Sequence, residues 1–531
     1  VFHLDPLSQE QIEQLLAETY DIANPGTFVE QAKRSRLDAL LGNPQTLRML
    51  AESVKDDWPD SLGKTYDLAC HKLAEEPNKT HRDAQRGEAC ATDEILDAAG
   101  HICAIQLLAG IAGYALDADA ADLAHPTFAE IGVGNTVPLR QAIASRLFEA
   151  RGNEERREPT HRSVAEYLAA RFLAKRINSE GMPLGRIQAL VTAGDGGVVS
   201  DLRGLHAWLA VHCPSARSAL IDEDPLGIVL YGDVHSFSAD SKRRLLQALG
   251  REAERYAWFR SQDWTDHPFG ALADRSMLGD LETILIADER DATHESLLDC
   301  VLEALIHGIP LPELGEPLLA IVRDTRHWAR NRQAAIDAYR NVCPETHVPL
   351  LAILNDIRTG TVADPSDELA GMLLRHLYPE YVSVSEVLSY LHPAKDSNLI
   401  GSYQVFWEHT LLEKTRRGEW AVLLDHMATS QAQLRYAPDD FHFRRFAGEL
   451  LSRGLDSDGD AVDTKPLWNW LAIGLDEHQF SRLDREHESR IAEWLAARPA
   501  IYVALLDIAL RECGNHEKPI HCMFAADRRL H

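Results

Sequence analysis

Along most of the chain apolar residues recur every three or four positions, with Ala, Leu, Glu, Arg and Gln between them, and alternating Val/Ile/Thr runs are scarce. That period predicts a mainly α protein. Ser8 ahead of Gln9, Glu10 and Gln11 predicts a capping box opening a helix that carries Ile12, Leu15 and Leu16 on one face. A second helix is expected over 28–41, stopped by Gly42-Asn43-Pro44, with a third starting at Gln45. The acidic stretch 55–62 reads as a surface connection, 63–75 as a helix, 78–88 as a polar loop and 93–115 as one long apolar helix.

The pattern then changes. A short helix over 139–146, a strand over 147–150, a charged turn over 151–157 and a return strand to Thr160 have the order of a winged helix. Ser163-Val164-Ala165-Glu166 predicts a second capping box, opening the helix that continues through Phe172 and Leu173. From about 182 onward short helices alternate with Pro, Gly and Asp, for example over 297–306, 318–323, 332–342, 348–357, 369–377 and 384–391. Helix pairs at a loose period of roughly 35 to 45 residues predict an α-solenoid of HEAT or armadillo type. The expected organisation is a small helical domain over 1–90, a winged-helix-like domain over 91–180 and a repeat region over 181–531.

Composition narrows the function classes. Apolar residues at 45% and charged residues at 26% exclude bulk disorder. A net charge of −28 opposes phosphate backbones and anionic lipid, so neither nucleic acid nor a membrane is an expected partner. Eight cysteines, widely spaced, fit a reduced compartment and a cytoplasmic location better than a disulfide framework. The longest apolar stretch, 102–116, is interrupted by Gln106 and falls short of the ~18 to 20 residues that cross a bilayer. The chain opens Val-Phe-His-Leu without Met or a targeting pattern, which predicts a fragment.

Most candidate chemistry fails on spacing. Gly63-Lys64-Thr65 has the tail of a phosphate loop, but the first glycine of such a loop would be residue 58, which is Trp58, and Pro59 removes an N–H. Cys513, His516, His521 and Cys522 bunch together without zinc-ribbon or zinc-finger spacing, and His521 and Cys522 are adjacent. Asp456-Ser457-Asp458-Gly459-Asp460 has its Gly at the fourth position and Leu467 where a calcium loop needs Glu, so it reads as a solvated turn. No His-Glu-x-x-His or Gly-x-Ser-x-Gly is present, so no catalytic residue and no metal ligand is expected. His161 stands apart, because it precedes the helix start at Ser163, where backbone N–H groups and the helix dipole favour an anion.

Four ordered stretches carry a resemblance: Leu4-Asp5-Pro6-Leu7-Ser8 running into Gln11-Ile12; Leu41-Gly42-Asn43-Pro44-Gln45-Thr46-Leu47; Ser145-Arg146-Leu147-Phe148; and Thr160-His161-Arg162-Ser163-Val164-Ala165-Glu166-Tyr167-Leu168-Ala169-Ala170. Together they resemble the part of bacterial NACHT-type STAND ATPases that follows the ATPase core, and they cover roughly the first 180 residues. The resemblance implies a helical domain, a winged helix and a repeat sensor that binds a protein trigger, often in defence against phage, with self-association of the complete protein. It implies that Pro44 packs on adenine and that His161 reaches the β-phosphate of ADP, while Arg162 has no fixed role. The phosphate loop and the acidic Mg²⁺ strand of the family are absent and would lie before Val1. ADP or ATP with Mg²⁺ is therefore expected only with that core, and neither cofactor nor hydrolysis is expected for this chain alone. The competing expectation is a stand-alone HEAT-like scaffold that binds protein and never meets nucleotide.

Overall fold

The computed structural model describes residues 7–34, 41–42, 44–54, 58, 61–75, 90–129, 136–261, 268–392, 394–396, 399–434, 441–473 and 483–512. They are mainly helical, as the period requires, and the chain packs as two units, Val1–Leu311 and Pro312–His531.

The first unit begins with α1 (Gln9–Glu18), α2 (Pro25–Arg34), α3 (Pro44–Val54) and α4 (Leu62–Ala74). The box at Ser8 forms as the sequence predicts: the Ser8 amide donates to Gln11 Oε1 at 2.9 Å, and the Gln11 amide donates to Ser8 Oγ at 3.3 Å. Helix α3 starts at Pro44 itself, one residue earlier than expected, since a first helical residue has no use for the N–H that proline lacks. The end of the second expected helix and the polar loop at 78–88 lie outside the described residues.

Helix α5 (Thr92–Ala109) is shorter than the 93–115 helix expected. Gly110 adopts φ +66° and the Ile111 amide bonds to Gln106 O at 3.2 Å, closing the helix with a left-handed cap that only glycine adopts cheaply. The apolar residues beyond it belong to strand β1 (Tyr114–Ala115), and the Tyr114 hydroxyl donates back to Ile102 O at 2.6 Å. Helix α6 (Val137–Ala144) leads into β2 (Phe148–Arg151) and β3 (Asn153–Pro159). The three strands form an antiparallel sheet in the order β1-β3-β2, with Phe148 opposite Pro159 and Tyr114 opposite Arg157. Residues 151–157 are therefore not a charged turn. The reversal is made at Gly152, φ +66°, and the charged residues after it form the central strand. Their charges are matched within the unit: Arg156 lies 2.7 Å from Asp122 and Glu158 2.8 Å from His125.

Helix α7 (Arg162–Glu180) packs along α5, where Gly100 admits the α7 backbone so closely that an added Cβ would stand 2.5 Å from Leu168 O. The expected box from Ser163 to Glu166 does not form. The helix starts at Arg162, so Ser163 is inside the first turn and Glu166 is beyond the third position that a box needs. The unit continues through α8 (Leu184–Val191), α9 (Arg203–His212), α10 (Arg217–Glu223), α11 (Pro225–Tyr231), α12 (Ala239–Arg255), α13 (Leu278–Leu285) and α14 (Ala292–His307). Here α9 packs on both α10 and α11, and α12 on both α10 and α14.

The second unit opens with α15 (Gly315–Arg323), α16 (Ala329–Val342), α17 (Val348–Arg358), α18 (Glu368–Leu377) and α19 (Val384–Val387). A π-helical turn, Phe406–Thr410, joins α20 (Ser402–Val405) to α21 (Leu411–Lys414); then come α22 (Trp420–Leu434), α23 (Phe441–Asp458), α24 (Thr464–Leu471), α25 (Arg485–Ala496) and α26 (Pro499–Glu512). Helices contact the next or next-but-one helix, α16 on α15 and α18, α23 on α22 and α25. The acidic run at 456–460 is not a solvated turn. It ends α23, with Asp458 buried and accepting from the Gly418 and Ala421 amides at 3.2 and 3.1 Å, and with Asp460 paired to Arg498.

Candidate functional site

His161 is the N-cap residue of α7, in extended conformation (φ −150°, ψ 145°). Its Nδ1 accepts the Ser163 amide at 3.2 Å and lies 2.7 Å from Ser163 Oγ. A ring that accepts through Nδ1 carries its proton on Nε2 when neutral, which makes Nε2–H the donor that an anion at this helix end would use. The ring is half-buried. The residue before it, Thr160, is fixed by its hydroxyl, which donates to Arg146 O at 2.6 Å, and by its amide, which donates to Leu147 O at 2.9 Å. Arg162 next door is committed elsewhere: Nε donates to Glu166 Oε1 at 2.9 Å and Nη2 donates to Asp201 O. The buried Glu166 is in turn seated against Gly204 of α9, where an added Cβ would meet its Oε2 at 2.0 Å.

Pro44 is exposed at the start of α3 and offers a rigid apolar ring to solvent. Helix α3 packs on α4, and α4 in turn contacts α5 and α7, so one intervening helix links the elements that carry the two residues named by the sequence.

Gly63-Lys64-Thr65 forms the first turn of α4, with Ser61 Oγ accepting the Lys64 amide at 3.2 Å and Asp233 Oδ2 accepting the Gly63 amide at 3.0 Å. Two oxygens of the protein thus sit where phosphate would have to bind. The cluster at Cys513–Cys522 lies outside the described residues. No group of three His, Cys, Asp or Glu side chains suited to a metal occurs among the described residues. Burial pushes the thiols of Cys70, Cys103 and Cys300 far up, Cys300 to about 12. Such thiols are poor nucleophiles. No helix among the described residues is long and apolar enough to cross a membrane.

Two features escaped the sequence. In the second unit a cavity of about 600 Å³ is lined by Arg332, Asp364 and Lys395 among others. Its charges staple neighbouring loops: Arg332 Nε donates to Val322 O at 2.8 Å, Arg332 Nη2 to Ala363 O at 2.9 Å, and Lys395 Nζ to Asp364 O at 2.6 Å while pairing with Asp367 at 2.7 Å. Burial lowers the pKa of Arg332 and raises that of Asp364. In the first unit, Tyr66 of α4 stacks on Tyr167 of α7 (centroids 5.4 Å apart) and meets the edge of Trp208 of α9 at 5.1 Å. Tyr167 also contacts Trp208 and His212, and its hydroxyl donates to Asp67 at 3.1 Å. Burial, with Arg171 adding to it and Asp67 opposing it, pulls the His212 pKa down to about 4. These rings lie up to 146 positions apart in sequence terms of local context, and no short motif signals them.

With this geometry in hand, a scan against protein-family models finds no match to the chain, and a search of curated proteins finds none.

Proposed function

We propose that the chain is the regulatory and sensing portion of a NACHT-type STAND switch ATPase, in which His161 and Pro44 hold ADP in the resting state and the helices after about residue 181 form a HEAT-like array that receives a protein trigger. The observation that carries this reading is the cap on α7. His161 spends Nδ1 on the Ser163 amide at the positive end of the helix, which leaves the hydrogen of the neutral ring on Nε2. Pro44 suits the companion role because an exposed pyrrolidine at a helix start offers a flat apolar surface to a purine. The order α6, β2, β3, α7 supports a winged helix, and packing of each helix on its next or next-but-one neighbour supports a repeat array. The ATPase core, outside this chain, would supply the phosphate loop and Mg²⁺, so this chain alone holds half a nucleotide site. A trigger, phage-derived in the defence role that the resemblance implies, activates only by binding the open state more tightly than the closed one, since equal affinity shifts nothing.

The test starts from the coding DNA in frame upstream of Val1. A strand followed by Gly-x-x-x-x-Gly-Lys-Ser/Thr is expected there, and His161→Ala in the complete protein is expected to speed ADP release and raise basal activation. A start or stop codon immediately upstream, or unchanged ADP release in the variant, overturns the reading in favour of a protein-binding scaffold.

A further inference from the structure

We propose that the cavity of about 600 Å³ in the second unit is a binding site for a free α-amino acid with a bulky apolar side chain. Its size falls in the ~300 to 1,000 Å³ range of small-molecule sites, and its walls have their character. Ile357, Val362 and Leu369 supply apolar surface, and a few fixed charges stand among them. All the lining residues belong to the second unit.

Two of those charges lack a countercharge. Arg332 is 4% exposed, and its hydrogen bonds go to two neutral carbonyls, Val322 O at 2.8 Å and Ala363 O at 2.9 Å. Asp364 is 5% exposed, and its carboxylate accepts the Ala370 amide at 2.8 Å. Neither side chain forms an ion pair within 4.0 Å among the described residues, although buried charges are ordinarily paired. Burial works against both, lowering the pKa of Arg332 and raising that of Asp364. The bond to Ala363 O brings the guanidinium beside the residue that precedes Asp364, so a cation and an anion share one wall. A ligand with a carboxylate and an ammonium on one carbon matches both. A purely anionic ligand meets the repulsion of Asp364, and a purely cationic one that of Arg332.

The remaining carboxylate and the lysine of the lining are already committed. Glu368 Oε2 accepts the Ser402 amide at 2.8 Å, and Lys395 Nζ pairs with Asp367 at 2.7 Å. Asp367 is fully buried and held at φ +64°, a conformation costly for a residue other than glycine, while its Oδ2 accepts the Lys395 amide at 2.8 Å. That lock fixes the loop carrying Asp364 before a ligand arrives, and charge fixed in advance lowers the entropic cost of binding. The site does not depend on the nucleotide reading of the first unit.

Isothermal titration calorimetry on the full chain tests it, with L-phenylalanine and L-leucine as probes. Saturable one-to-one binding of at least one of them is expected. The N-acetyl and carboxamide forms of that amino acid each remove one charge, and each should bind about tenfold more weakly or worse. Ala363→Phe, at an exposed position of the lining, should fill the cavity and abolish binding with Tm unchanged. The two analogues need no mutation, so they decide the matter whatever Ala363→Phe does to folding. No binding of either amino acid at about 10 mM, undiminished binding of the N-acetyl or the carboxamide form, or full binding in a folded Ala363→Phe would each overturn the proposal.

Discussion

Replacing His212 by Phe should remove a definite part of the acid sensitivity of the first unit. The imidazole stacks beside Trp208 (centroids 6.0 Å) and meets Tyr167 edge-on (5.2 Å), with Nε2 buried and without a partner. Burial, then the nearby Arg171 charge, holds its pKa down from 6.5 to about 4, while Asp67 pulls the other way. The folded state thus keeps the ring neutral where the unfolded chain already takes up a proton. Stability is intact above pH 6.5 and falls as the pH drops from there toward 4. At about 1.36 kcal/mol per pH unit across that window, acidification from pH 7.5 to 5 costs about 2 kcal/mol through this one residue. His101 and His235, whose pKa values burial also lowers, act in the same direction and remain in the variant, so the difference between the two proteins isolates His212. Phe keeps the ring contacts and cannot titrate. Urea unfolding at pH 7.5 and 5.0 should show the unaltered chain losing about 2 kcal/mol more than His212→Phe between the two conditions. An equal loss in both would refute the argument that the buried neutral imidazole sets this pH dependence.

Gly100→Ala should destabilise the first unit by about 2 to 3 kcal/mol, because the added methyl meets the Leu168 carbonyl of α7 at 2.5 Å and backbone cannot step aside; a Tm within a degree of the unaltered protein would contradict the close approach of α5 and α7. Asp458→Ala should cost about 2 kcal/mol in the second unit, since it strips the acceptor from the Gly418 and Ala421 amides, and the loss should be the same with and without calcium. A calcium-dependent Tm in the unaltered chain would instead mean that 456–460 takes up the ion.

Local signals were the ones the sequence carried faithfully. Ser8 and Gln11 are three residues apart and decide the start of α1 between themselves, and the helices over 318–323, 332–342 and 348–357 were legible because their apolar faces repeat with the helical period. Where two local signals competed, the reading slipped. Apolar continuity through 93–115 hid the left-handed cap at Gly110, and the charge of 151–157 hid a central strand whose partners come from β1 and β2. At α7 the sequence offered Ser163 as a cap, yet His161 holds that position, two residues upstream. The seat of α4 was invisible for a different reason. Asp233 reaches Gly63 across 170 residues, and nothing near either residue records that the other is its partner.

The cap on α7 also yields a prediction about a proton. Histidine is not among the preferred capping residues, because an imidazole can accept the helix amide only through an unprotonated nitrogen. At His161 that nitrogen is Nδ1, 3.2 Å from the Ser163 amide. A hydrogen on Nδ1 would place an N–H against an N–H and break the cap, so in the neutral ring the cap holds the hydrogen on Nε2. The Ser163 hydroxyl, 2.7 Å from the same nitrogen, reinforces that choice when it donates. Nitrogen-15 NMR of the imidazole, assigned by comparison with His161→Ala, should therefore find Nδ1 unprotonated near neutral pH. Finding the hydrogen on Nδ1 would mean that the ring does not cap α7, and the donor on which the phosphate contact depends would then face the helix instead of a ligand.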